Sequence, residues 1–244
     1  MLMMSVVARA KDHSVRLITE KELAEIAVYL RKGAGISNNA PTFNIVRLLK
    51  EYLIPNISKF DRHKIELEIV PEVREPNDPA VVKYTRLNKF TNDVKVTLHV
   101  DEEILELAKL GEPESKFIFA HEIGHIILHN FDAKAFSSDF GDQNHFEQQE
   151  YSAEWQANMF AGHLLLPDSL VIEIRDESIL TRMCEIPRQT VRDRIKSLSN
   201  NKSTSRHFST NITPHYTGSL CECGGYSVVQ SGLIEECLIC KKMF

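Results

Sequence analysis

The residues best suited to chemistry are His121, Glu122 and His125, which follow the pattern His-Glu-x-x-His inside the apolar stretch 116–129. Four residues carry an α-helix through about 400°, so the two histidines project from one face, one turn apart. Zinc accepts imidazole nitrogen readily, and a catalytic zinc site keeps one position open for water. A carboxylate beside such a site can take a proton from that water and later pass it to a leaving amine. The motif therefore predicts zinc-dependent hydrolysis with Glu122 as the base.

A tetrahedral zinc site also needs a third protein ligand. The segment 150–166 supplies the candidates because its apolar residues have helical spacing. We choose Glu154, so the expected ligand set is His121, His125 and Glu154. Glu150 lies one turn earlier on the same predicted face and is a rival on geometry alone.

Small and polar residues on these two predicted helices indicate how they meet. Ala157 and Ala161 allow a neighbouring backbone to approach closely. Gly124 costs about 1 kcal/mol relative to alanine inside a helix, so its presence indicates a matching close approach. Asn158 can accept the outer N–H of a ligating histidine. His129 is roughly 12 Å along the axis from the first histidine, too far to share one ion with it, so we expect His129 to support the site or the fold.

These two segments resemble the ImmA/IrrE family of metallopeptidases. The resemblance rests on FxxAHExGHxxLH at 117–129 and ExxANxFAxxLLxP at 154–167. Members of that family resemble gluzincins and cleave helix-turn-helix repressors. The resemblance implies the same three zinc ligands and the same catalytic base as the spacing argument.

Composition and length limit the class of protein. The 244 residues, 43% apolar and 26% charged, suffice for one main core and one or two small modules. The net charge of −5 gives no general case for binding nucleic acid or a membrane surface. The opening residues lack the pattern of a secretory signal, and no apolar stretch is long enough to span a bilayer. We therefore expect a cytoplasmic protein without a membrane partner.

Four of the five cysteines lie near the C-terminus, as Cys221-x-Cys223 and Cys237-x-x-Cys240. This grouping fits metal-bound thiolates in a reducing compartment better than a disulfide framework. We expect the four thiolates to hold a second, structural zinc ion in a small module that resembles a zinc ribbon. The polar stretch 199–219 is expected to be a flexible linker before it.

The segment 169–198 resembles a helix-turn-helix with its turn at Ile186-Pro187. A basic second helix would suit recognition in a DNA major groove. The alternative is a helical subdomain that packs against the peptidase, and one basic helix on an acidic chain is weak electrostatic support for DNA contact. The polar residues that make this helix basic are Arg188, Gln189, Arg192, Arg194 and Lys196.

The expected fold is α+β, a small mixed sheet packed on the metal helix and on the second, glutamate-bearing helix. Alternation predicts strands at 65–69 and 94–100, and 80–85 is a third candidate. We expect 94–100 to be the sheet edge that pairs with an extended peptide substrate, although a strand that merely packs the helix has the same pattern. The predicted divisions are a tail (1–18), a metallopeptidase domain (19–168), the helix-turn-helix-like subdomain (169–198), the linker (199–219) and the zinc-ribbon-like module (220–244).

The favoured function is a zinc endopeptidase with a protein substrate. By the family resemblance, that substrate is a helix-turn-helix repressor of a phage, a mobile element or a stress response. Two alternatives stay open, a DNA-associated regulator with non-catalytic zinc sites and the peptidase toxin of a toxin–antitoxin pair. The residue that would stabilise the oxyanion is unassigned among His99, His129, His145 and Tyr151.

Overall fold

The structure, a computed structural model, describes residues 15–57, 65–72, 79–87, 94–129, 149–204, 215–216, 228–231 and 234–237. No helix within these ranges is long and apolar enough to cross a membrane. The elements in chain order are α1 (Glu20–Gly33), α2 (Ile45–Arg47), a π-helix (Leu48–Leu53), α3 (Ile54–Asn56), β1 (Ile65–Val70), β2 (Ala80–Arg86), β3 (Val94–Val100), α4 (Glu102–Leu110), α5 (Pro113–Leu128), a 3-10 helix (Gln149–Tyr151), α6 (Ala153–Leu165), α7 (Asp168–Ile174), α8 (Glu177–Cys184), α9 (Arg188–Thr204), β4 (His215–Tyr216), β5 (Val228–Ser231) and β6 (Ile234–Cys237).

β3 is the central strand of a three-stranded sheet with the order β1-β3-β2. It pairs in parallel with β1 and antiparallel with β2. The mixed sheet and its three strands are therefore as expected, and the α+β class is confirmed. The expectation that 94–100 forms the edge of the sheet is wrong, because β3 has a neighbour on each side. The strand that packs against α5 is β2.

The start of helix α5 is fixed by residues typical of a helix N-terminus. The carboxylate of Glu112 accepts hydrogen bonds from the backbone N–H groups of Glu114 and Ser115. Pro113 is the first helical residue, where its missing N–H is harmless. Gly111, with φ of 83°, ends the preceding helix α4. This short connection sets the direction in which α5 crosses the sheet.

Helices α5 and α6 pack along each other, and α1 covers α6 on another side. Both α5 and α6 are apolar around most of their circumference, as helices buried on several faces must be. The side chains that fill the space between these helices and the sheet are fully or almost fully buried, among them Leu23, Leu30, Leu98, Phe119, Ile123, Phe160 and Leu164.

Helices α8 and α9 form a hairpin that packs onto the core through its apolar residues. Leu180, Cys184, Ile186 and Val191 are buried and belong to the main hydrophobic cluster. Helix α9 contacts both α6 and α8. It continues to Thr204, into the stretch for which the sequence indicated a linker.

Lys116 joins α5 to this hairpin from inside the protein. Its side chain is only 1% exposed. The Nζ atom donates hydrogen bonds to Thr42 Oγ1 (2.6 Å) and to the backbone oxygen of Cys184 (2.8 Å), and it lies 3.6 Å from Glu185 Oε2. Burial lowers the pKa of Lys116, and the nearby Glu185 carboxylate opposes that change.

Near the C-terminus, β4, β5 and β6 form a second antiparallel sheet in that order. β5 and β6 pair antiparallel in the part of the chain that runs from Cys223 to Cys237. Cys221, Cys223 and Cys240 lie outside the described residues, and of Cys237 only the backbone is described, as the last residue of β6. The structural zinc site stays a prediction.

Candidate metal centre

Three side chains from two helices converge at one point. His121 and His125 project from α5, and Glu154 projects from the first turn of α6. The Nε2 atoms of the two histidines are 2.9 Å apart. Glu154 places Oε2 3.3 Å from Nε2 of His121, and Oε1 3.3 Å from Nε2 of His125. Among the described residues, this trio alone brings three potential metal-ligand atoms of His, Cys, Asp or Glu within 4.8 Å of one another, so Glu150 is not part of it.

The size of this triangle fits a zinc ion. Ligand atoms at about 2.0–2.1 Å from zinc with tetrahedral angles lie about 3.3–3.4 Å from one another. Two of the three observed separations are 3.3 Å, and the third is 2.9 Å. Two imidazole nitrogens and one carboxylate oxygen also form a typical catalytic zinc ligand set. The residues present therefore fit the metal that the sequence pattern predicts.

The protonation states of His125 and Glu154 also favour a cation. Burial lowers the pKa of His125 to about 3, so its imidazole is neutral at physiological pH. Burial would raise the pKa of Glu154, but the neighbouring His121 and His125 outweigh this and hold that pKa well below its ordinary value. Metal ligands must be deprotonated before they bind. Little proton competition is therefore expected at these two residues.

A close contact between backbones brings the two helices to this separation. A Cβ atom added to Gly124 would lie 3.1 Å from the Cα of Ala157, 3.3 Å from its carbonyl oxygen and 3.1 Å from Cδ1 of Phe160. Any side chain at position 124 would push α6 away from α5. The matching close approach expected for Gly124 and Ala157 is thus confirmed.

The outer nitrogens of both histidines have hydrogen-bond partners. Nδ1 of His121 lies 2.9 Å from Asn158 Oδ1. Nδ1 of His125 lies 3.0 Å from Nδ1 of His129, whose Nε2 lies 3.0 Å from Gln156 Oε1. The sequence pointed to Asn158 and His129 but missed Gln156, because Gln156 lies about 200° around α6 from the glutamate ligand, off the face used for the selection.

A family model described as the IrrE N-terminal-like domain, peptidase family M78, matches residues 79–209, just over half of the chain. The chain belongs to this family. The matched region runs from the start of β2 to beyond α9, so it includes all three residues of the triangle. The family resemblance of the two sequence motifs is confirmed.

Among curated proteins, the M78 chain resembles "Uncharacterized immunity region protein 2" of Bacillus phage phi105. The two are 26% identical over 132 residues, which is 54% of this chain and 72% of the phage protein. No solved structure matches the chain.

Glu122 follows His121 on α5 and is 1% exposed. Burial first, and the charge of Glu122 second, raise the pKa of the Tyr84 phenol on β2. The Tyr84 hydroxyl donates a 2.8 Å hydrogen bond to the backbone oxygen of His125. The general base expected for the M78 domain is therefore a buried carboxylate between the sheet and the metal helix.

The candidates for oxyanion stabilisation lie in different parts of the structure. His129 is bonded within the histidine pair described above. His99 places Nδ1 3.3 Å from the backbone oxygen of Glu72 on the sheet. Tyr151 is 41% exposed in the 3-10 helix before α6, and His145 lies outside the described residues. His129 meets His125 at its outer nitrogen, away from the metal position, so no described candidate is assigned to the oxyanion.

The arginines expected to make α9 a DNA-recognition helix form ion pairs with other residues of the M78 domain. Arg194 is only 2% exposed and binds Asp168, so it does not belong to an exposed basic face. Arg188 and Arg192 are exposed, but each forms an ion pair with Glu177 of α8. The hairpin thus has the contacts of a subdomain that packs against the peptidase core, and support for DNA contact is weaker than the sequence alone gave.

Proposed function

We propose that this protein is a zinc-dependent endopeptidase that hydrolyses a peptide bond in a protein substrate. The observation that carries the proposal is the triangle of His121, His125 and Glu154, with Glu122 on the same helix, in a chain of the M78 family. The proposed metal content is one catalytic zinc at this triangle and one structural zinc at Cys221, Cys223, Cys237 and Cys240.

The chain's own residues divide the work of hydrolysis. A zinc ion held by the trio would supply Lewis-acid chemistry, which acidifies water and polarises a carbonyl group. Glu122 takes the proton of the attacking water and passes it to the leaving amine. Its burial beside Tyr84 keeps bulk water from competing for that proton. Asn158 and His129 hold the rings of the two histidines through their outer nitrogens.

For the substrate we propose a helix-turn-helix transcriptional repressor, cleaved in the cytoplasm to relieve repression. The support is the family, together with the phage relative whose name places it in an immunity region. A peptidase toxin would use the same chemistry, and no described feature favours that alternative.

The test compares two glutamates of α5. Glu122→Gln removes the proposed base but keeps the shape of the side chain, whereas Glu114→Gln makes the same change in the first turn of the helix. A positioned base contributes about 10²- to 10⁴-fold to a rate. We therefore expect Glu122→Gln to cleave a repressor encoded beside its gene at least about 10²-fold more slowly, and Glu114→Gln to cleave it normally.

Zinc content measured on the same proteins completes the test. Wild type, Glu122→Gln and Glu114→Gln should each carry two equivalents of zinc, while His125→Ala and Cys237→Ser should each lose one. Cleavage by Glu122→Gln at the wild-type rate would refute the assigned base. Retention of both zinc ions by His125→Ala would refute the proposed catalytic centre.

A further inference from the structure

A chain of hydrogen bonds runs from the metal triangle to the backbone of two other segments. Nδ1 of His125 lies 3.0 Å from Nδ1 of His129, and Nε2 of His129 lies 3.0 Å from Oε1 of Gln156. Nε2 of Gln156 donates to the backbone oxygens of Arg16 (2.7 Å) and Glu150 (2.6 Å). The first of these oxygens belongs to the segment before α1, and the second belongs to the 3-10 helix before α6.

The two backbone oxygens determine which group donates and which accepts in each hydrogen bond of this series. A backbone carbonyl can only accept hydrogen bonds, so the group 2.6–2.7 Å from both must be the NH₂ end of Gln156. The opposite orientation would place an amide oxygen against two carbonyl oxygens at those distances. The amide oxygen of Gln156 therefore faces His129 and can only accept from it.

The orientation of the Gln156 amide then determines which ring nitrogen carries the proton in His129 and in His125. His129 must carry its proton on Nε2 to donate to Gln156, which leaves Nδ1 of the neutral ring as an acceptor. Nδ1 of His125 then has to donate, and its Nε2 presents a lone pair to the triangle. A doubly protonated His129 would reverse this last step, but the ring is 5% exposed and lies against a second buried imidazole, where a cation is costly.

We infer that Gln156 and His129 are positioning residues that select the tautomer of His125 and keep its Nε2 lone pair directed at the metal position. The inference deepens the proposed function and rests on it, because it presumes that His125 is a ligand. None of the three residues is more than 8% exposed. Water therefore has little access to replace a lost link.

The other ligating histidine has a simpler arrangement. Nδ1 of His121 faces Asn158, a residue on the exposed side of α6 that can be solvated. Water can take the place of that amide if it is lost. Loss of Gln156, in contrast, leaves the buried pair of histidines without fixed donor and acceptor roles. The two ligands should thus respond differently to removal of their outer partners.

The tautomers are measured directly in the zinc-free full-length protein, labelled with ¹⁵N-histidine, by long-range ¹H–¹⁵N correlation at pH 7.5. We expect Nδ1–H on His125 and Nε2–H on His129. In Gln156→Met the His125 signal should become a mixture of both tautomers. Gln189→Met makes the same substitution on the exposed face of α9, where the amide bonds only to Asp193, and should change nothing.

Zinc affinity is measured on the same proteins by competition with a chromophoric chelator. Loss of such an outer partner costs about 10- to 100-fold in metal affinity, so we expect that reduction for Gln156→Met and none for Gln189→Met. Nε2–H on His125, or a doubly protonated His129, in the wild-type protein would overturn the inference without any variant. An unchanged tautomer and affinity in a folded Gln156→Met protein would also overturn it.

Failure of the proposed function has a different signature. If wild type and His125→Ala bind zinc equally, the proposed catalytic centre fails whatever the tautomers are. If zinc requires His125 but ignores Gln156, only the positioning role fails.

Discussion

Replacing Gly124 with alanine tests whether the spacing between α5 and α6 controls the metal centre. The added Cβ would meet the Cα of Ala157 at 3.1 Å and its carbonyl oxygen at 3.3 Å. Ordinary carbon contacts are about 3.5–4.0 Å, so the helices must move apart by a few tenths of an ångström. The atoms in the way belong to backbone and cannot turn aside.

The net effect on stability is small, because two effects oppose each other. Overpacking a core costs about 1–3 kcal/mol, whereas alanine gains about 1 kcal/mol over glycine inside a helix. The free energy of unfolding of the zinc-free protein should therefore fall by about 0–2 kcal/mol. Zinc affinity should fall as well, because the triangle joins the two helices through 3.3 Å separations. Zinc binding must bring the two helices back to the wild-type spacing, which restores about 1–2 kcal/mol of strain at the added Cβ. Zinc affinity should therefore fall by about 5- to 30-fold.

Gly162→Ala on α6 is the matched control. Its Cβ would meet Cδ of Arg194 at 3.1 Å and Cγ2 of Thr190 at 3.8 Å, which are side-chain atoms rather than backbone. We expect its stability to stay within about 1 kcal/mol of wild type and its zinc affinity to be unchanged. Urea unfolding and chelator competition measure both quantities. A Gly124→Ala protein about 1 kcal/mol more stable than wild type, with unaltered zinc affinity, would refute this reasoning.

Two further predictions concern buried charges away from the metal. Lys116→Met removes the donor to the Cys184 carbonyl and should lower the free energy of unfolding, measured in urea, by about 1–3 kcal/mol. Lys109→Met on the exposed face of α4 should change that free energy by less than about 0.5 kcal/mol. Equal values for both variants would contradict the role of the buried lysine. Oε1 of Glu20 lies 3.5 Å from Nε2 of His163 and accepts hydrogen bonds from Ser197 and Arg194, and these neighbours, His163 first, lower the pKa of Glu20 below its ordinary 4.5. The resulting stability is complete above pH 4.5 and is lost as the pH falls through the folded-state pKa, so wild type and Glu20→Gln should converge in acid. A difference that does not shrink as the pH falls below 4.5 would show that titration is not its source.

The convergence of His121, His125 and Glu154 was predictable because it depends on local spacing and on a family resemblance. His121 and His125 need only one helix, and Gly124 reported its close neighbour through its poor helix propensity. The position of β3 in its sheet was not predictable from alternation. Thr97 looks like an exposed strand residue in the sequence, yet it is 9% exposed, because strand order depends on pairing with β1 and β2 on either side.

Arg194 shows the same limit for charge. A single arginine on a polar helix face suggests a surface residue, since arginine is rarely buried unless paired. Its partners Asp168 and Glu20 are 26 and 174 residues away in the chain. Gln156 was missed for a related reason, because its importance comes from a histidine on another helix and from two backbone oxygens.

The anchor of the histidine pair has a consequence for how this family should be compared. The last acceptors of the chain are main-chain oxygens at positions 16 and 150, which every amino acid supplies. Substitutions at those positions leave the acceptors in place, so an alignment of relatives would show no preferred residue type there. Insertions or deletions near them would move the oxygens. In this protein that part of the site depends on the lengths of the segments around positions 16 and 150, rather than on the identity of a side chain.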